Sequence, residues 1–267
     1  MKPALTDIEK LRQKKLIVFD IDGTLTPSKA PADKEMIGLL VNLLDKKLVA
    51  IIGGGKYALF KEQLIDQLPS QDKRLERLFL FPTCSTAFYR YEGKWNEVYS
   101  LKLSEEMKEK IKKAFEDTFQ QVGYKHPEKT YGPVIEDRDT QITFSAIGQE
   151  VVAELGDKEG VRLKEEWYAK NDDLRQKMRE ILQEKLPEFE VRAGGLTSID
   201  ITQKGIDKAY GVRQIAKHIK VSIDDMLFVG DAIFPGGNDY AALETGIDYV
   251  KVKDPEETKE LIRSLIS

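Results

Sequence analysis

The sequence predicts an α/β protein: a doubly wound parallel sheet into which an α+β module is inserted. Three observations carry this reading. Short apolar runs alternate with amphipathic segments at both ends of the chain, as in βαβ units. The middle reads instead as a hairpin followed by long helices and short strands. The first apolar run also ends in two aspartates one residue apart, where a parallel sheet opens into a ligand crevice.

Taken in order, residues 16–19 (Leu-Ile-Val-Phe), bounded by Lys15 and an acidic turn, form a short buried strand. Asp33 caps a helix carrying Met36, Ile37, Leu40, Val41, Leu43 and Leu44 at helical spacing. Residues 48–52 form the next strand, 57–68 the next helix, and 78–81 a third strand stopped by Pro82. Residues 87–91 and 95–99, joined by Glu92-Gly93-Lys94, predict a hairpin. An amphipathic helix follows over 104–121, a strand over 141–147, a helix over 171–186, and strands at 190–192 and 198–201. Alternation then resumes, with a helix over 206–219, a strand over 226–229, a short helix over 239–244 and a strand over 249–252. Asp254-Pro255 opens the last helix, with Asp as N-cap and Pro at the first helical position. The expected division is a core of residues 1–85 and 196–267 around an inserted module of 86–195.

Bulk properties exclude several classes. The 267 residues suffice for one large domain or two modest ones, and 41% hydrophobic with 33% charged residues suits a globular protein with a real core. A formal net charge of −4 gives no nucleic-acid footprint. Cys84 is the only cysteine, so no intrachain disulfide forms, and a reducing compartment and a packing role are expected. No apolar stretch approaches the ~20 residues of a membrane span. Residues 1–15 are polar and lack a signal-peptide core, so the expected location is cytoplasmic. His126 and His218 stand alone without a partner at ligand spacing and read as structural, and Trp95 and Trp167 as packing residues.

The chemistry concentrates at the first strand. Asp20 and Asp22 repel each other at its end unless a cation or a shared proton compensates. That arrangement suits a carboxylate nucleophile beside a general acid/base, with Mg²⁺ holding a phosphate. Asp20-Ile21-Asp22-Gly23-Thr24-Leu25-Thr26 resembles the first motif of the haloacid dehalogenase (HAD) superfamily. Gly53-Gly54-Gly55, Lys208 within Gly205-Ile206-Asp207-Lys208, and Gly230-Asp231 match its later motifs in order. Pro235-Gly236-Gly237-Asn238-Asp239, residues 194–201 and residues 143–148 are similar to the eukaryotic-type phosphomannomutase branch, in subfamily IIB.

The resemblance implies a Rossmann-like, HAD-type core with a type IIB cap, and Mg²⁺-dependent phosphoryl transfer on a phosphorylated sugar. In that scheme Asp20 is the nucleophile that becomes an aspartyl-phosphate, and Asp22 the general acid/base, whose main-chain carbonyl also binds the metal. Asp231 is the remaining carboxylate ligand. Lys208 and the amides of Gly53, Gly54 and Gly55 neutralise and cradle the phosphate, Asn238 holds it, and Asp239 supports the site. Family members usually carry a hydroxyl at the second motif, where this chain has Gly55. Arg138 matches an arginine for the substrate's distal phosphate. Gln149 and Lys29 stand where the family has arginines, Ser198 and Asp200 match sugar-hydroxyl contacts, and Arg162, with Lys164 as competitor, matches a third arginine. The cap is also expected to form a homodimer. Two enzymatic outcomes stay open, a phosphosugar phosphatase and a mutase. The alternative from another class is a non-catalytic sugar-phosphate binding protein, against which the presence of Asp20, Asp22, Lys208 and Asp231 argues.

Overall fold

All five residues of the first strand are buried, which a central strand covered on both faces requires. The computed structural model describes residues 7–27 and 30–267. Its strands are β1 Leu16–Asp20, β2 Leu48–Ile52, β3 Leu78–Phe81, β4 Ala87–Tyr91, β5 Trp95–Ser100, β6 Ile135–Asp137, β7 Ile142–Ser145, β8 Phe189–Gly194, β9 Ser198–Gln203, β10 Met226–Gly230 and β11 Asp248–Lys251. The chain divides into two compact units, one running to Ser100 and resuming at Asp207–Ser267, the other Leu101–Ile206.

The first unit holds a seven-stranded sheet in the order β11-β10-β1-β2-β3-β4-β5. From β11 to β3 the pairing is parallel, and β4 and β5 add antiparallel at the edge. Alternate residues of β1 enter different cores. Ile17 and Phe19 join Met36, Leu40 and Leu44 of the Lys34–Lys46 helix and Ile262 and Leu265 of the Pro255–Ile266 helix. Leu16 and Val18 join Val212 and Ile215 of the Lys208–Ile219 helix. Helices therefore cover both faces, as the sequence pattern implied. Asp33 and Asp254 cap their helices as expected.

Four expectations need correction. The 87–99 hairpin belongs to the first sheet, not to the inserted module, because β4 pairs with β3 through Phe79–Arg90 and Leu80–Tyr89. Phe88 stacks on Phe81 with ring centroids 4.5 Å apart, which anchors the hairpin there. At the other boundary, β9 pairs with β7 and β8, so the second unit runs on to Ile206. The 57–68 helix stops at Gln63, whose carbonyl accepts from Ala32 N at 2.8 Å, and a 3-10 turn at Ile65–Gln67 follows. The 206–219 helix begins only at Lys208, where Asp207 caps it by accepting from Tyr210 N.

The second unit packs a four-stranded antiparallel sheet, β6-β7-β9-β8, against helices Glu105–Val122 and Asp157–Lys185. Ser104 caps the first of these, and Gly123, at φ 66°, ends it in the left-handed conformation. The second begins well before the predicted residue 171. Its N-terminal half packs Val161, Leu163 and Trp167 against Val151 and Val152, and carries charge pairs such as Arg162 with Glu159 and Glu166. Among the described residues no helix is long and apolar enough to cross a membrane.

Candidate active site

Adjacent parallel strands bring the key carboxylates together. β1 ends in Asp20, and its neighbour β10 ends in Gly230, one residue before Asp231. Lys208 opens the helix behind them and sends its ammonium between the Oδ1 atoms of Asp20 and Asp239. Asp20 is 3% exposed, Lys208 4% and Asp239 0%, so these charges face one another and not solvent. The second oxygen of Asp239 accepts from Ala232 N at 3.0 Å, and Thr24 Oγ1 donates to Asp231 at 3.4 Å. Gly23 has φ 81°, and a Cβ there would lie 2.7 Å from the Asp231 carboxylate, so backbone conformation and close approach both demand glycine.

The electrostatics follow from the crowding. Burial pushes the Asp20 carboxyl well above the usual carboxylate range. Lys208 opposes that rise, while Asp239 and Asp231 add to it. Burial, then Asp239, also raises Asp231. For Lys208 burial works against the charge, but Asp20 and Asp239 outweigh it and hold the ammonium protonated. Oxygens of Asp20, Asp231 and Asp239 lie within 4.8 Å of one another. Lys208 offsets one of the three carboxylate charges, and the remaining two match a divalent cation. Hard oxygen donors of this kind fit Mg²⁺ better than a soft metal. The residues present therefore fit the expected metal.

Asp22 is anchored by a residue the sequence reading missed. Gln63, 1% exposed, donates from Nε2 to Asp22 Oδ1 at 3.0 Å and to Thr26 Oγ1 at 3.1 Å. It lies 41 positions away on the Tyr57–Gln63 helix, and no motif marks it.

The glycine segment is only partly as expected. Gly53 N–H donates to Phe81 O at 3.2 Å, continuing the β2–β3 pairing, so this amide is spent inside the sheet. The carbonyls of Gly53 and Gly55 accept from Cys84 N and Thr83 N, both at 2.9 Å. Thr83, Cys84 and Ser85 that clamp the loop all have positive φ. Asn238 is exposed, and Lys29 lies outside the described residues.

In the second unit, several predicted residues form one network. Arg138, with a side chain 7% exposed, donates to Glu136 at 2.8 Å and to Gln149 Oε1 at 3.1 Å. Gln149 Nε2 in turn donates to the Thr143 carbonyl at 3.3 Å, and Thr143 Oγ1 donates to Asp200 Oδ1 at 2.7 Å. Ser198 opens β9, two residues before Asp200. Arg162 stands apart, half exposed and paired with Glu159 and Glu166, whereas Lys164 is buried.

Comparison with known proteins agrees with this geometry. A sequence profile described as eukaryotic phosphomannomutase matches residues 36–267. A probable phosphomannomutase of Caenorhabditis elegans is 27% identical, covering 94% of this chain and 95% of that protein. Human phosphomannomutase 1 is 27% identical over 86% of this chain and 83% of its own. Among solved structures, trehalose-6-phosphate phosphatase of Aspergillus fumigatus superposes with a TM-score of 0.56 at 17% identity, covering 100% of this chain and 99% of that one. An IMP-nucleotidase of Plasmodium falciparum reaches 0.67 at 15% identity, over 97% and 71%. At these identities the structural likenesses show a shared fold alone. The profile match over most of the sequence shows that the chain belongs to the eukaryotic phosphomannomutase family.

Proposed function

We propose that the protein moves a phosphoryl group on a phosphorylated sugar through a covalent intermediate at Asp20. One observation carries this reading: a buried lysine shared between Asp20 and Asp239, beside Asp231, at the ends of adjacent parallel strands. An Asp20 oxygen attacks phosphorus, and the bond from phosphorus to the sugar oxygen breaks. Asp22 gives its proton to that departing oxygen. The ionised Asp22 then takes a proton from an incoming hydroxyl, whose oxygen attacks the same phosphorus and releases Asp20. Lys208 donates to Asp20 Oδ1, which orients the nucleophile and favours its ionised form against burial. Asp20, Asp231 and the Asp22 main-chain carbonyl, with Asp239 alongside, would hold Mg²⁺, which would supply positive charge against the repulsion between carboxylate and phosphate.

The family and its named relatives favour a sugar hydroxyl as acceptor, which makes the reaction a mutase. We assign recognition of the sugar to Arg138, Gln149, Ser198 and Asp200. A second reading, hydrolysis, is favoured by one specific observation. Gln149 is neutral and engaged with Arg138 and Thr143, and Arg162 is engaged with two glutamates, so neither of these two positions offers an unpaired cation to a second phosphate. ³¹P NMR with Mg²⁺ and mannose 1-phosphate, with and without a sugar bisphosphate, separates the two. Sugar 6-phosphate supports the mutase, and inorganic phosphate supports the hydrolase. No change in either condition refutes both for this sugar. A cytoplasmic location and a homodimer formed through the second unit belong to the same reading, and light scattering tests the latter.

A further inference from the structure

We infer that Gln63 is a positioning residue that holds the Asp22 carboxyl group in place for proton transfer. The inference rests on the acid/base reading of Asp22 given above. Gln63 closes its helix, and its main-chain carbonyl accepts from Ala32 N at 2.8 Å, which fixes the residue at both backbone and side chain. Its Nε2 touches both arms of the Asp22 loop, at Asp22 Oδ1 and at Thr26 Oγ1. That loop is closed on itself by Gly23 N donating to Thr26 O at 2.7 Å. Thr26 Oγ1 spends its own proton on the Ile21 carbonyl at 3.4 Å, so it accepts from Gln63. An ionised Asp22 carboxylate only accepts as well. Both neighbours therefore demand a donor, and this sets the amide with its NH₂ toward the loop.

The amide thus grips Asp22 by Oδ1 and ties it to Thr26, which fixes the direction the carboxyl group faces.

The test is transient kinetics of the full chain with Mg²⁺ and two esters. With 4-nitrophenyl phosphate the leaving group needs no proton, whereas with a sugar 1-phosphate it does. Gln63→Met keeps the bulk and removes the donor. The expected result is a nitrophenolate burst of parental rate and amplitude, with sugar-phosphate turnover down about 10- to 100-fold and KM within about twofold. Gln63→Asn keeps the amide but withdraws it by one methylene, so it shows the same loss confined to the sugar phosphate. This variant keeps the test decisive if Gln63→Met does not fold. Equal loss on both esters, a loss confined to KM, or parental activity overturns the inference. Asp20→Asn is the separate control. If Asp20→Asn turns over at the parental rate, the reading of the nucleophile fails, and the inference falls with it.

Discussion

Replacing Asp231 by asparagine removes one charge from the carboxylate cluster while keeping its size. Two ionised carboxylates whose oxygens lie within 4.8 Å of each other repel by roughly 3 kcal/mol or more at an effective dielectric near 20. Lys208 cancels part of that for Asp231, as its attraction opposes the rise caused by burial and Asp239. The net gain for the metal-free protein is therefore about 1–3 kcal/mol at neutral pH, or an apparent Tm increase of about 2–10 °C for a chain of this size. Burial and like charge raise the carboxyls of Asp20 and Asp231 in the folded state. Their stabilising contribution is complete below the unfolded carboxylate pKa and is lost as pH rises through the folded values. In EDTA the parent should lose stability from about pH 4 upward, and Asp231→Asn should lose less. Mg²⁺ should raise the parent's Tm at pH 7.5 and raise that of Asp231→Asn much less. Differential scanning fluorimetry across pH, with EDTA or Mg²⁺, measures all of this. A variant less stable than the parent in EDTA, or one with an equal response to Mg²⁺, would refute the charge-cluster argument.

Three further outcomes are expected. Lys208→Met leaves Asp20 and Asp239 buried without their cation, so it should cost about 3–5 kcal/mol in chemical denaturation and abolish turnover; unchanged stability would contradict the pairing. Gly53→Ala places a Cβ 2.5 Å from Ile21 Cγ2 and 3.0 Å from Phe60 Cζ, and urea unfolding should show a loss of about 1–3 kcal/mol. Arg138→Ala should lower kcat/KM for a sugar phosphate about 10- to 100-fold through KM, while 4-nitrophenyl phosphate turnover stays at the parental level; parallel losses on both would remove Arg138 from sugar recognition.

The parts that were legible in the sequence are those whose physics is local. Alternating apolar runs and the caps Asp33 and Asp254 specified the doubly wound unit, because strand burial and helix capping depend on neighbouring residues. Asp20, Lys208 and Asp231 were legible as spaced motifs, and the structure gathers Asp20 and Lys208 directly with Asp239. Gln63 was not legible, since a glutamine at a helix end carries no signal until tertiary folding brings it to Asp22. The hairpin was found but assigned to the wrong unit, because its turn and alternation are the same whichever sheet receives it. The helix over residues 157–170 was not legible because its few apolar residues, Val161, Leu163 and Trp167, are set among charges such as Arg162 and Glu166.

The central claim is that phosphorus becomes covalently attached to Asp20. Acid-quenching the protein with Mg²⁺ and a sugar 1-phosphate, followed by peptide mass spectrometry, tests it most directly. The account predicts one phosphoryl group on the peptide containing Asp20, present during turnover and absent in an inactive Asp20→Asn variant. A phosphoryl group on another residue, or sustained turnover by Asp20→Asn, would contradict it.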